Sequence, residues 1–136
     1  MMIKKEQTAG GVVFQDGLVL LIKSKSRNSI SMPKGKVEAG ESLEETAIRE
    51  VREETGYDTK IASKIDDINF DFEKNGEKIS KTVTYFKLEL LNDSHPKPNL
   101  QKSEDFENIW VTPNEAVSLL TYDDAREVLK KAIAQS

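Results

Sequence analysis

The chain contains no cysteine, which excludes disulfides, thiolate zinc sites and cysteine nucleophiles. Its single histidine, His95, stands in a proline-containing polar stretch and reads as a solvated side chain. No apolar run approaches the roughly 20 residues needed to span a bilayer. The opening MMIKKEQTAGG lacks the apolar core of a secretory signal, so a soluble cytoplasmic protein is expected. An excess of basic charge is also missing: 20 basic against 24 acidic side chains give a net charge of −4. That balance argues against a broad surface for gripping nucleic acid phosphates, although Lys23, Lys25, Arg27, Lys34 and Lys36 could form a local basic patch. Internal repeats, low-complexity segments and composition breaks are absent. With 136 residues, the chain has the length of one domain with a real core.

What is present reads as alternating strands and helices. Thr8 to Phe14 and Leu18 to Ile22 are apolar and flank Gln15-Asp16-Gly17, which predicts a hairpin. The unbroken Val19-Leu20-Leu21-Ile22 suggests a strand covered on both faces. Arg27 to Gly40, with Pro33, Gly35 and Gly40, is expected to be a loop. Glu41 to Thr55 carries Leu43, Ala47 and Val51 at four-residue spacing and stops at Gly56, the pattern of an amphipathic helix closed by glycine.

Downstream, Ile68, Phe70 and Phe72 alternate within a strand over 65–72, and Asn75-Gly76 predicts a second hairpin turn into a long strand over 79–91. Residues 92–105 read as a loop, and Phe106 to Val111 as a short strand. Thr112-Pro113-Asn114-Glu115 has the cap, N1 proline and N3 glutamate of a helix start. A last amphipathic helix begins near Asp123, with Val128, Leu129, Ala132 and Ile133 turned inward.

The chemistry concentrates in the first helix. Glu50, Glu53 and Glu54 stand at i, i+3 and i+4, which places three carboxylates on one face where they repel. By itself such a patch reads as a solvated face relieved by ion pairs of Arg49 with Glu45 or Glu53. As a functional site it would suit a hard cation such as Mg²⁺, because only carboxylate oxygens converge there.

The flanking residues favour the second reading. From Gly35 the chain runs five residues to Glu41, seven more, and then Arg49-Glu50-Val51-Arg52-Glu53-Glu54-Thr55-Gly56-Tyr57. This resembles the Nudix box, G-x5-E-x7-R-E-U-x-E-E-x-G-U, at every fixed polar and glycine position. Tyr57 replaces the usual aliphatic residue at the end, a packing position. Two glycines, four glutamates and one arginine at those spacings would arise by chance on the order of once per million chains of this composition.

The resemblance implies a Nudix-type α/β/α sandwich with a mixed central sheet, spanning 1–136 as a single domain, and a Mg²⁺-dependent (alternatively Mn²⁺-dependent) pyrophosphohydrolase. It makes Glu50, Glu53 and Glu54 the metal ligands, aided by a backbone carbonyl near Lys34. Arg49 would orient carboxylates, and Glu41 would lie near the site or tie the loop to the helix. Glu53 or Glu104, the latter a few residues before Trp110, would serve as general base.

TAGGVVF (Thr8 to Phe14), PKG (Pro33 to Gly35) and KTVTYF (Lys81 to Phe86) are most similar to the diadenosine polyphosphate (Ap4A) hydrolase group. That likeness implies phosphate contacts from Lys34 and Lys81, and an aromatic sandwich of Tyr85 and Tyr122 around the base. Ile30 and Lys36 depart from that group, where an aromatic residue and a histidine are frequent. ADP-ribose, an oxidised dNTP and a capped or triphosphorylated RNA 5′ end are the alternative substrates. A non-catalytic nucleotide-sensing module is a further alternative, which the complete set of box carboxylates disfavours.

Overall fold

The computed structural model describes residues 3–91 and 105–135. Strand β1 (Lys4–Gln15) leads through a turn into β2 (Leu18–Ser24), followed by two three-residue strands, β3 (Ser29–Ser31) and β4 (Lys34–Lys36). Helix α1 (Leu43–Thr55) precedes the long hairpin of β5 (Thr59–Lys74) and β6 (Glu77–Leu90). Strand β7 (Phe106–Val111), α2 (Pro113–Leu119) and α3 (Asp123–Ala134) complete the chain.

The strands form one mixed sheet in the order β3-β2-β1-β6-β5, with β4 added to β1 and β7 to β2. Strands β1 and β6 run parallel from Lys4↔Ile79 to Phe14↔Glu89, whereas β5 and β6 pair antiparallel. One sheet face carries Val12, Val83 and Tyr85 against Ala125, Val128 and Leu129 of α3. The other carries Ala9, Val13, Phe86 and Leu88 against Ala47 and Val51 of α1. The layers are helix, sheet, helix, as expected. Val19, Leu20 and Leu21 are fully buried, which agrees with a strand covered on both sides. Each such aliphatic side chain contributes about 1.5–3 kcal/mol by leaving water.

Helix α1 begins at Leu43, two residues later than its periodicity suggests. Ser42 is its N-cap: Glu45 N–H donates to Ser42 Oγ at 3.1 Å, and Ser42 N–H donates to Glu45 Oε1 at 2.9 Å. This capping box satisfies two of the helix's otherwise orphaned donors and leaves Glu41 outside the helix. At the other end, Gly56 takes a left-handed conformation (φ 84°) and its N–H donates to Arg52 O at 2.8 Å.

Three further expectations need correction. The segment 27–40 is not wholly loop, because β3 pairs with β2 and β4 pairs with β1. Three-residue strands stabilised by distant partners leave no periodic signal of their own. Strand β5 begins at Thr59 rather than Ile65, because register shifts at Ile61/Ser63 and Lys64/Asp66 break the alternation. Strand β6 begins at Glu77, two residues early, since the charged hairpin tip pairs as well as the apolar part.

Candidate active site

The site grows from β4. Lys34 and Lys36 project to the sheet face away from α1, where Lys36 meets Glu6 at 3.8 Å. Gly35 points to the α1 side, where a Cβ would collide with the Glu50 carboxylate. Only glycine lets the strand and the acidic helix approach this closely. The outer edge of β4 is then satisfied by α1 side chains instead of another strand. Lys34 N–H donates to Glu54 Oε1 at 2.8 Å, and Lys36 O accepts from Arg49 Nη2 at 2.9 Å.

Arg49 is the hub of this cluster. Its Nε and Nη2 donate to Glu41 at 2.7 and 3.0 Å, and its Nη1 donates to Glu50 at 2.8 Å and to Glu53 at 3.2 Å. Glu38 adds a looser contact at 3.5 Å. The hydrogen bonds from Arg49 are the main reason the Glu41 carboxyl falls to a pKa of about 2. Glu41 reciprocally holds the guanidinium charge more firmly than usual. Glu41 also accepts from Thr46 Oγ1 at 2.8 Å and from Glu38 N–H at 3.0 Å. It therefore ties the turn before α1 to the helix.

Glu50 and Glu54 are buried, at 1% and 5% exposure. Carboxylates so placed need compensation by charge and hydrogen bonds, which Arg49 and the Lys34 amide supply. Among the described residues, no three acidic or histidine side chains converge on a single point as a ready-made cation cage. The donor set is nevertheless one that a hard divalent cation fits: carboxylate oxygens only, with β4 backbone held against them by a glycine that leaves the Glu50 carboxylate room.

On the opposite side of β4 lies a cavity of about 340 Å³, within the size range of small-ligand pockets. Lys34, Arg27 and Ser31 supply its polar wall, and Tyr85, Tyr122 and Phe70 its aromatic groups. Burial lowers the Lys34 ammonium pKa, and neighbouring Lys81 lowers it further, while Glu54 and Glu50 pull it back up. Lys34 thus joins the carboxylate cluster to the cavity. Lys81 sits over the Phe70 ring, 5.8 Å from its centroid.

Tyr85 is only 3% exposed and belongs to the core packed on α3. Burial raises its phenol pKa, helped by the negative charges of Asp124 and Glu54. Tyr122 is 60% exposed.

The structure therefore brings Glu41, Arg49, Glu50, Glu53 and Glu54 into one cluster, and places Lys34, Tyr85 and Tyr122 on one cavity. Glu104 lies outside the described residues. Phe70 and Asp124 line the cavity without having been singled out in the sequence as site residues, and Arg27, named there only as part of a basic patch, joins them. For Phe70 the alternation with Ile68 was a signal, but alternation alone does not say what a face looks onto.

With sheet order, capping and carboxylate cluster in place, the chain falls into a recognised class. It belongs to the Nudix family: the NUDIX domain model matches residues 4–132. Among curated proteins it is 33% identical to the "Putative mutator protein MutT4" of Mycobacterium tuberculosis over 137 residues, covering 93% of this chain and 54% of that protein. It is 32% identical to an ADP-ribose pyrophosphatase of Bacillus subtilis over 120 residues, covering 85% of this chain and 61% of the other. The chain thus spans about half to three-fifths of the length of these two relatives. Among solved structures, a NUDIX hydrolase from Nitrosomonas europaea superposes with a TM-score of 0.77 at 20% identity, covering 97% of this chain and 90% of that one. The Ap4A hydrolase of C. elegans gives 0.63 at 22% identity, with 98% of each chain covered. At these identities the structural likeness establishes the fold.

Proposed function

We propose that the chain is a metal-dependent pyrophosphohydrolase that cleaves a nucleoside diphosphate linked to another moiety. The observation that carries this reading is the continuity of the buried Glu50–Glu54 cluster with the cavity through Lys34, whose amide binds Glu54 and whose side chain lines the cavity. A dinucleoside polyphosphate such as Ap4A, giving ATP and AMP, is the first candidate substrate, on the likeness of its strand segments to that group. ADP-ribose is the second, supported by a curated relative of that activity at 32% identity over most of this chain.

Glu50, Glu53 and Glu54, with a β4 carbonyl near Lys34, would hold Mg²⁺ or Mn²⁺. When bound, such an ion polarises phosphoryl oxygens and lowers the pKa of a water molecule. Lys34 and Arg27 bind phosphate oxygens from the cavity side, and Lys81 adds positive charge beside them. Arg49 keeps the carboxylates oriented, since one guanidinium reaches Glu41, Glu50 and Glu53 together. Glu53, with its side chain 32% exposed against 1% for Glu50, is the more accessible of these two acids to accept the proton of the attacking water at a carboxylate oxygen. The water oxygen forms the new bond to phosphorus, and the bond to the bridging oxygen breaks, so that the electron pair leaves with the departing phosphate.

Incubation with Mg²⁺ and a panel of Ap4A, ADP-ribose, 8-oxo-dGTP and ATP tests this. ATP plus AMP is expected from Ap4A, and absence of turnover across the panel would sink the reading. Glu53→Gln should lower kcat by at least about a hundredfold with the fold intact. Full activity in that variant would remove Glu53 from both of its roles.

A further inference from the structure

Arg27 meets phosphate oxygens in that reading, yet it stands in the turn between β2 and β3. Residues 25–28 of this turn are exposed, whereas Ser24 and Ser29 at its ends are buried. Asn28 takes a left-handed conformation (φ 50°), which folds the chain back toward β3. Exposed residues gain little from apolar packing, so the shape of the turn must come from hydrogen bonds.

Those bonds converge on one residue from far along the chain. Asp105, just before β7, accepts from Ser26 N–H through Oδ1 at 2.6 Å. Its Oδ2 accepts from the Ser24 and Ser26 hydroxyls at 2.6 and 2.9 Å. Its backbone carbonyl accepts from Lys25 N–H at 3.1 Å. Ser24 Oγ in turn accepts from Arg27 N–H at 3.3 Å. An ionised carboxylate only accepts, and three donors of the turn meet it here. The Ser24 bond most of all holds the Asp105 carboxyl below the usual carboxylate range, and the nearby Arg27 charge adds to this.

Arg27 requires such an anchor. It shares the cavity wall with Lys34, whose ammonium pKa is lowered by Lys81 and Arg27 after the larger effect of burial. Like charges gathered at one wall repel, which drives a long side chain out toward solvent. Among the described residues the Arg27 side chain makes no hydrogen bond or ion pair, so its backbone is what aims it.

We infer that Asp105 is a positioning residue for phosphate binding: it fixes the 24–28 turn and thereby holds Arg27 toward the phosphates of a bound nucleotide. Asp105 lies off the cavity wall and acts through Arg27. The inference rests on the nucleotide reading of the cavity, and it adds the residue that preorganises one of its phosphate contacts.

The test is an NMR titration of the ¹⁵N-labelled chain in EDTA with ADP and with adenosine, which differ by the diphosphate. ADP should bind at least about tenfold more tightly than adenosine. Arg27→Ala should weaken ADP about tenfold, and Asp105→Ala about fivefold, both leaving adenosine unchanged. In the Arg27→Ala background, Asp105→Ala should add less than about twofold. Asp105→Asn, whose amide can accept from Ser26 N–H and donate to the serine hydroxyls, should keep ADP affinity within about twofold of the wild type. If Asp105→Ala does not fold, Ser24→Ala removes only the Asp105 and Arg27 bonds of that hydroxyl and should weaken ADP about threefold. ADP binding no tighter than adenosine, equal losses for both ligands, strict additivity in the double variant, or Asp105→Asn as weak as Asp105→Ala would overturn the inference. Neither metal nor turnover enters the titration, so coupled ADP binding without hydrolysis of the substrate panel would refute the proposed function alone. Hydrolysis together with additive losses would refute this inference alone.

Discussion

Replacing Arg49 with glutamine removes a guanidinium that hydrogen-bonds Glu41, Glu50 and Glu53 together. The cost depends on how far those carboxylates are from water. Exposed ion pairs contribute about 0–1 kcal/mol, whereas stranding a buried charge costs about 3–5 kcal/mol. Glu50 at 1% exposure belongs to the second class, Glu53 at 32% to the first, and Arg49 itself is 22% exposed. Weighting by exposure puts the loss near the low end of the buried class, about 3 kcal/mol. For a domain of this size that lowers Tm by roughly 10 °C.

The assay is urea unfolding in EDTA, followed through the single tryptophan, Trp110, which packs edge-on to Tyr57 with ring centroids 5.5 Å apart. Glu50→Gln supplies the internal control. If the penalty arises from the lost compensation of the buried Glu50 charge, the double variant should be more stable than the two single losses predict, with a coupling of about 1.5–3 kcal/mol. A loss under about 1 kcal/mol for Arg49→Gln, or strict additivity in the double variant, would refute the burial argument.

The remaining predictions concern the same cluster. Gly35→Ala should destabilise the chain by about 1–3 kcal/mol, read by urea unfolding, and depress hydrolysis further than stability explains, because its Cβ displaces the Glu50 carboxylate. Stability should also fall in acid with a defined sign. Glu41 is depressed from 4.5 to about 2 in the folded chain, so its contribution is complete above about pH 4.5 and disappears as the pH falls toward 2. Tm measured across that interval should lose less in Glu41→Gln than in the wild type. An identical acid profile in the two would contradict the link between Glu41 and Arg49.

Much of the site's local half was legible in the chain. The i, i+3, i+4 carboxylates, the Thr112–Glu115 cap, Gly56 and the Asn75-Gly76 turn all act within one or two turns of backbone. Their geometry follows from helix pitch and the conformational freedom of glycine, so spacing alone determines it. The box pattern added the glycine and arginine that distinguish a built site from a wet acidic face.

Tertiary structure decided what joins residues distant in the chain. The three residues of β4 have no periodicity, and they become a strand because β1 pairs with one edge while Glu54 and Arg49 satisfy the other. Whether an aromatic is core or cavity wall depends on which layer covers its face. Tyr85 is sealed by α3, whereas Phe70, also on the long hairpin, remains open to the cavity. Sequence determined the helix that presents the carboxylates. The sheet and the covering helices determined what those carboxylates face, because burial belongs to the packed layers and to no residue alone.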